Sequence, residues 1–149
     1  MRCIDPNWWH FAALFVAPFI QRVPRDQLNA FVNATRGDGV PDFTVKTLDG
    51  AEPAQAEAYI IKYIEPVARN RQALGLDVGS EPIRRAGVER AVKSGQATLT
   101  STIRLVQDQQ SRPGFLLFVP VYHVDLPLNT ADERLAAAYG LTYAPIVLD

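Results

Sequence analysis

The stretch from Gly114 to Tyr122 is the sequence feature that most constrains the fold. Its sequence, GFLLFVPVY, carries no charge and is apolar on both sides of an extended chain. This pattern predicts a strand that lies inside a sheet or is covered on both faces. Pro120 has no backbone N–H to donate, so we expect it at a bulge or where pairing ends. A threonine-rich strand is predicted over 98–106, and the two strands are predicted to pair as an antiparallel hairpin across a polar loop.

The rest of the chain alternates between strand and helix patterns. Further strands are predicted over 11–20, 43–47 and 59–64 and from Gly140 onward. Helices are predicted from Pro24 to Gly37 and over 67–74, 81–94 and 130–139. This order predicts an α+β fold, in which helices pack over one face of an antiparallel or mixed sheet.

The helix predicted over 81–94 places an arginine on its apolar face. Ser80 is a favourable N-cap, and Gly95 is a favourable residue to end the helix. At about 100° per residue, Arg84 falls inside the apolar stripe, whereas Arg85 falls on the charged face and is expected to face solvent. An inward guanidinium must snorkel, pair with an acid or meet a ligand, because an unpaired buried charge is costly.

Two roles for Arg84 therefore stay open. As a structural bridge it would pair with a nearby carboxylate, for which the candidates are Asp77, Asp108 and Glu65. As a binding residue it would present a bidentate donor to a carboxylate or phosphate.

Composition excludes several classes of function. Fifteen basic and sixteen acidic residues give a net charge of −1, which provides no field for nucleic-acid binding. The lone Cys3 forms no disulfide within the chain, and it leaves, with His10 and His123, too few ligands for a structural zinc site. No nucleophile–histidine pair and no phosphate-binding loop is recognisable. We therefore expect no catalytic residues, no metal and no cofactor, and a binding module is favoured over an enzyme.

Several ordered motifs carry a resemblance to a known family. They are YIEP at 63–66, ALGLDVGSEPIRRAGVERAVKSG at 73–95, IRLVQ at 103–107 and GFLLFVPVY at 114–122. In these motifs the chain resembles the CHASE domain, the extracytoplasmic sensory module of many histidine kinases, diguanylate cyclases and nucleotide cyclases. Weaker matches at 22–24, 41–43 and 143–145 extend the resemblance over nearly the whole chain.

The resemblance implies an architecture and a location. Such domains consist of a stalk helix and two PAS-like units, with the ligand in the membrane-distal unit. Residues 1–149 are expected to be that distal unit, with the stalk and the transmembrane helices absent and the C-terminal unit truncated. The resemblance further implies a periplasmic or extracellular location in a membrane-anchored parent protein that dimerises through the stalk and acts in two-component or diguanylate cyclase signalling.

The resemblance also implies a ligand site. The acid that binds the ligand in plant cytokinin receptors aligns with Arg84, a backbone contact aligns with Val106, and a small threonine of the pocket floor aligns with Phe118. A cation in place of the acid and a ring in place of the threonine favour a small anionic ligand over an adenine-type one. The threonine-rich strand adds short hydroxyls that can line a cavity without filling it. The expected ligand-binding residues are therefore Tyr63, Val78, Arg84, Thr98, Thr100, Val106 and Phe118.

Two functions remain open at this point. In the first, the domain is a small-molecule sensor. In the second, it is a ligand-free dimerisation or partner-binding shell, whose pocket is filled by its own side chains, with Phe118, Phe115 and Tyr63 as candidates. An open polar pocket beside Arg84 favours the first function, and a closed apolar core favours the second.

Overall fold

A computed structural model describes residues 18–48, 55–105 and 112–148. Within these residues six strands form one antiparallel sheet with the order β2-β1-β6-β5-β3, and β4 also pairs with β5. The strands are β1 Phe19–Pro24, β2 Glu57–Tyr63, β3 Thr98–Leu99, β4 Ile103–Arg104, β5 Pro113–Tyr122 and β6 Ala138–Val147. The α-helices are α1 Leu28–Gly37, α2 Val67–Asn70, α3 Pro82–Ser94 and α4 Ala131–Ala137. Two short 3-10 helices lie at Arg25–Gln27 and Val78–Ser80.

The predicted hairpin is confirmed, but its first strand is interrupted. Thr98 pairs with Phe118 and Ile103 pairs with Gly114, so β3 and β4 both lie antiparallel to β5. Between them the Thr100 hydroxyl accepts a hydrogen bond from the Leu116 amide at 3.0 Å. This side-chain bond takes the place of a backbone bond, and the predicted strand over 98–106 is divided into two short pieces. As expected, β5 is an interior strand, because β6 pairs along its other edge.

The segment 43–47 is not a strand, contrary to the prediction. It makes one isolated bridge, between Lys46 and Leu76. The amide of Lys46 donates to the Gly75 carbonyl at 2.9 Å, and the amide of Asp77 donates to the Lys46 carbonyl at 2.8 Å. The segment is therefore held by the loop before α3, and its alternating pattern reflects the burial of Phe43 in the core.

Element boundaries also differ from the predictions. The predicted strand 11–20 overlaps β1, which begins at Phe19 and continues to Pro24, while residues 11–17 lie outside the described residues. The helix predicted over 67–74 is the single turn α2. The Pro24–Gly37 helix is confirmed as a 3-10 turn followed by α1. α4 starts after a capping box formed by Thr130 and Glu133 and ends at Ala137, and the last strand begins directly after it at Ala138 rather than at Gly140.

Helices cover both faces of the sheet near β1 and β2, rather than one face as predicted. Ile20 of β1 belongs to the apolar cluster that contains Val88 and Val92 of α3. Val23 of β1 belongs to a second cluster, with Phe31 of α1. Successive core residues of these strands alternate between the two clusters, because strand side chains alternate between faces. The candidate ligand residues on α3 and β5 lie on the first of these faces.

Candidate functional site

The site is built around the N-terminus of α3. Glu81 is the N-cap, and its carboxylate accepts hydrogen bonds from the amides of Ile83 at 2.9 Å and Arg84 at 3.0 Å. The prediction that Ser80 caps the helix is wrong, because the Ser80 hydroxyl donates to the Asp77 carbonyl and accepts from the Leu48 amide. The other end of α3 is as predicted: Gly95 ends the helix with a φ of 71°.

Arg84 is buried, as its position on the apolar face predicted, and its side chain is 8% exposed. Its Nη1 atom lies 3.1 Å from Glu81 Oε2, and its Nη2 atom donates to the carbonyl of Arg104 at 2.6 Å. The guanidinium thus links the start of α3 to β4. A charge this deeply buried requires such partners, because unpaired it would be strongly destabilising.

The acid that pairs with Arg84 is not among the three candidates from the sequence. Asp77 is fully buried and instead pairs with Arg25 at 2.7 Å. Glu65 is exposed at the end of β2, and its carboxylate accepts from the Val67 amide. Asp108 lies outside the described residues. The i,i+3 spacing of Glu81 and Arg84 on one helix was the sequence signal for the observed pair.

The pKa of Glu81 reflects this arrangement. Burial raises the pKa of the carboxyl, but hydrogen bonds from the two amides and from the Arg84 guanidinium outweigh burial and hold the pKa below its usual value of 4.5. Glu81 is therefore an anion at neutral pH. It satisfies both the helix N-terminus and the buried arginine.

Arg85 does not face solvent, and this prediction is wrong. Its Nε atom lies 2.9 Å from Glu89 Oε1, and Nη1 donates to the Gly79 carbonyl at 3.3 Å. Its guanidinium also lies 5.9 Å from the centroid of the Tyr59 ring. The helical wheel placed Arg85 away from the sheet, but the 3-10 turn before α3 and the Tyr59 ring of β2 cover that side.

Arg84 borders two cavities of very different size. The inner cavity has a volume of about 20 Å³. Besides Arg84, it is lined by Tyr143 and by apolar residues that include Val78, Leu105 and Leu116. That volume accommodates about one water molecule. The outer cavity is a groove of about 550 Å³, and it is lined by Glu81, Ile83, Arg84, Thr102, Ile103, Arg104 and Pro113.

The structure brings together only part of the expected ligand site. Arg84 and Val78 share the inner cavity. Thr98, Thr100 and Phe118 do not line either cavity at Arg84.

The three remaining hairpin residues make contacts of their own. The Thr98 hydroxyl donates to the Gln96 carbonyl, and the Thr100 hydroxyl bonds the Leu116 amide. Phe118 is fully buried, with its ring 6.5 Å from the Tyr143 ring.

One expected residue lies elsewhere. Tyr63 is 54% exposed and lines a separate cavity. Val106 lies outside the described residues.

The described residues carry no evident metal centre and no membrane span. No three His, Cys, Asp or Glu side chains among them are grouped closely enough to hold a metal ion. None of the helices in the described part of the chain is both long enough and apolar enough to cross a bilayer.

Comparison with known proteins decides the family. Residues 10–149 match the family model described as the CHASE domain. The chain belongs to the CHASE domain family. CHASE domains are extracytoplasmic sensor domains of membrane receptors, they bind small ligands, and the domain itself is non-catalytic.

A curated relative shares part of this CHASE domain. The chain is 43% identical over 67 residues to probable histidine kinase 4 of Oryza sativa subsp. japonica. The aligned stretch covers 44% of this chain and 6% of the rice protein. The resemblance inferred from the motifs at 63–66, 73–95 and 114–122 is thus confirmed at the level of the family.

Proposed function

We propose that this CHASE domain is the ligand-binding sensor of a membrane-anchored histidine kinase or diguanylate cyclase, and that its ligand is a small anion bound by Arg84. The family supports the sensor role, and the similarity to a rice histidine kinase supports a kinase parent. The proposed location is periplasmic or extracellular, in a parent protein that dimerises through a stalk helix.

The observation that carries the proposal is the position of the Arg84 guanidinium. It is buried, it borders a groove of about 550 Å³, and among the described residues its acidic partner is Glu81, the N-cap of its own helix. A carboxylate or phosphate in the groove provides the same chemistry as the Glu81 carboxylate. Glu81 therefore acts as an internal competitor, which holds Arg84 while no ligand is bound.

Exchange of Glu81 for a ligand anion provides a route to a signal. Arg84 also donates a hydrogen bond to the Arg104 carbonyl of β4. A ligand that binds Arg84 would therefore affect the positions of both α3 and the hairpin. A ligand shifts an equilibrium only when it binds one state more tightly than the other. In this proposal, the state in which Glu81 is released from Arg84 is the one that binds the anion.

A second function is favoured by a different observation. The inner cavity holds only about 20 Å³, and Phe118, which the resemblance aligns with a small threonine of the pocket floor, is a fully buried ring. A domain filled by its own side chains would be a dimerisation or partner-binding shell. In that case Arg84 is a structural bridge and no small ligand is bound.

A thermal-shift screen with matched variants separates the two functions. The library contains carboxylates, amino acids and phosphate esters. A ligand at about one hundred times its Kd stabilises a protein by about 2.7 kcal/mol, which raises the Tm by several degrees. Arg84→Gln should abolish the shift, whereas Lys93→Gln removes an exposed charge from the same helix and should preserve it. Glu81→Gln should increase the affinity, because it weakens the internal competitor.

The opposite results support the shell. If no compound raises the Tm of the wild type or of Glu81→Gln, and Arg84→Gln unfolds the domain, Arg84 is a bridge. If a compound binds Arg84→Gln as tightly as the wild type, the ligand site lies elsewhere in the domain.

A further inference from the structure

A cavity that shares no lining residue with the Arg84 site lies beside the end of β2. Its volume is about 380 Å³, and it is formed by residues within 39–46, 62–65 and 67–74. We call it the β2–α2 cavity. This volume is within the range of small-molecule sites, roughly 300–1,000 Å³.

The β2–α2 cavity combines an apolar floor with cations. The floor contains Phe43 and Ile64, which are both buried. Lys46, Lys62 and Arg71 supply three cationic side chains. An apolar floor with a few polar groups is the usual composition of a site for a small organic ligand.

The ammonium group of Lys62 is held by aromatic rings. Its Nζ atom lies 5.7 Å from the centroid of the Phe31 ring and 5.2 Å from that of Tyr63. Among the described residues, no carboxylate forms a salt bridge with Lys62 or Arg71. Aromatic rings attract a cation without neutralising its charge, so Lys62 remains able to bind an anion.

Two acids also line the cavity, but the net formal charge of its lining residues remains positive. The acids are Asp42 and Glu65, and the lining also contains the three cations. The Glu65 carboxylate is directed at the start of α2, where it accepts from the Val67 amide at 3.4 Å. The formal charge of the lining is therefore +1, which favours a ligand with one negative charge.

One wall of the cavity is fixed in place by the backbone. The 43–46 segment is tied to the Gly75–Asp77 loop through the Lys46 amide and carbonyl, and Lys46 Nζ donates to the Arg71 carbonyl at 3.1 Å. Gly75 allows this approach, because it has a φ of 82° and a Cβ there would lie 1.9 Å from the Thr44 carbonyl oxygen. A site that is formed before binding loses less free energy in ordering its groups.

We infer that the β2–α2 cavity is a second binding site, for a small carboxylate with an aromatic or branched apolar body. The carboxylate pairs with Lys62 and Arg71, and the apolar body packs on Phe43 and Ile64. This site is independent of Arg84 and of the ligand proposed there.

An amide-resolved NMR titration of the chain with phenylacetate tests the inference. We expect saturable shift changes centred on residues 62–65 and 71–74. Phenylacetamide, which has the same body without the charge, should bind about tenfold more weakly. Lys62→Gln and Arg71→Gln should each lower the affinity several-fold.

Two variants serve as controls. Arg69→Gln removes an exposed charge from α2 that does not line the cavity, and it should bind phenylacetate like the wild type. Lys93→Gln, which removes an exposed charge from α3, should also bind normally, and shift changes at residues 62–65 rather than beside Arg84 distinguish this site from the Arg84 site. Arg71 is exposed, so we expect Arg71→Gln to leave the fold intact, and this variant keeps the test valid even if Lys62→Gln unfolds.

Three results would overturn the inference. They are a titration without saturation, equal affinity for the acid and its amide, and shift changes that centre on the groove beside Arg84.

Discussion

The ring of Phe118 lies directly against Gly87 of α3. A Cβ at Gly87 would come 3.1 Å from Cε2 of that ring and 2.9 Å from Cγ2 of Thr100. The absence of a side chain at Gly87 therefore allows α3 to approach the hairpin closely. Phe118 fills the space between α3 and the hairpin.

The first prediction concerns Gly87→Ala. At an open position inside a helix, replacing glycine by alanine stabilises a protein by about 1 kcal/mol. At Gly87 we expect a net loss of about 1 kcal/mol, because overpacking a core costs about 1–3 kcal/mol. Urea unfolding measures the effect, and Ala86→Gly at the neighbouring exposed position reports the helix preference alone.

A double-mutant cycle tests the cause. When Phe118→Leu removes the ring, Gly87→Ala should become less destabilising, with a coupling of about 0.5–3 kcal/mol. If Gly87→Ala stabilises the wild-type protein, or if the cycle shows no coupling, Phe118 does not limit the approach of α3.

The second prediction concerns Asp77. This carboxylate is fully buried, accepts from the amides of Tyr59 and Gly79 at 3.0 Å each, and pairs with Arg25. Asp77→Ala removes all three interactions and should cost about 3 kcal/mol, because it leaves buried polar groups and a charge without a partner. Chemical unfolding of the variant measures the loss.

Two further variants serve as a conservative substitution and as a control for Asp77→Ala. Asp77→Asn keeps an acceptor for the amides and should cost less than Asp77→Ala. Asp42→Ala changes an exposed carboxylate and should stay within about 0.5 kcal/mol of the wild type. Equal effects of Asp77→Ala and Asp42→Ala would show that the buried pair does not stabilise the fold.

Local signals in the sequence predicted much of the fold. The uncharged run at 114–122 predicted an interior strand, and Gly95 predicted the end of α3. Arg84 was predicted to point inward because helical periodicity determines which face a residue occupies. These features depend on neighbours within a few residues, so they could be predicted before the tertiary structure was known.

Contacts between distant segments explain what could not be predicted. The 43–47 segment alternates apolar and polar residues like a strand, but it is hydrogen-bonded to a loop about thirty residues later, and Gly75 allows the close approach. Arg85 was expected in solvent because a helical wheel carries no information about Tyr59, which is on another element. Of the expected ligand residues, Arg84 and Val78 meet at one cavity, whereas Tyr63 lies at another, because positions along the chain do not show which residues meet in space.

The third prediction is a pH dependence that originates at Glu81. Burial opposes ionisation of this carboxyl, but the amides of Ile83 and Arg84 and the Arg84 guanidinium lower its pKa in the folded state below the usual 4.5. Because the folded-state pKa is lowered, Glu81 stabilises the fold above its unfolded-state pKa, and this stabilisation is lost as the pH falls through the folded-state pKa. The free-energy difference between wild type and Glu81→Gln should therefore be largest at about pH 7 and should shrink by about pH 3 in urea unfolding. In an Arg84→Gln background, which removes one of the donors, that pH dependence should weaken. A difference of the same size at both pH values would show that the Glu81 carboxylate gains nothing from its charge in the folded state.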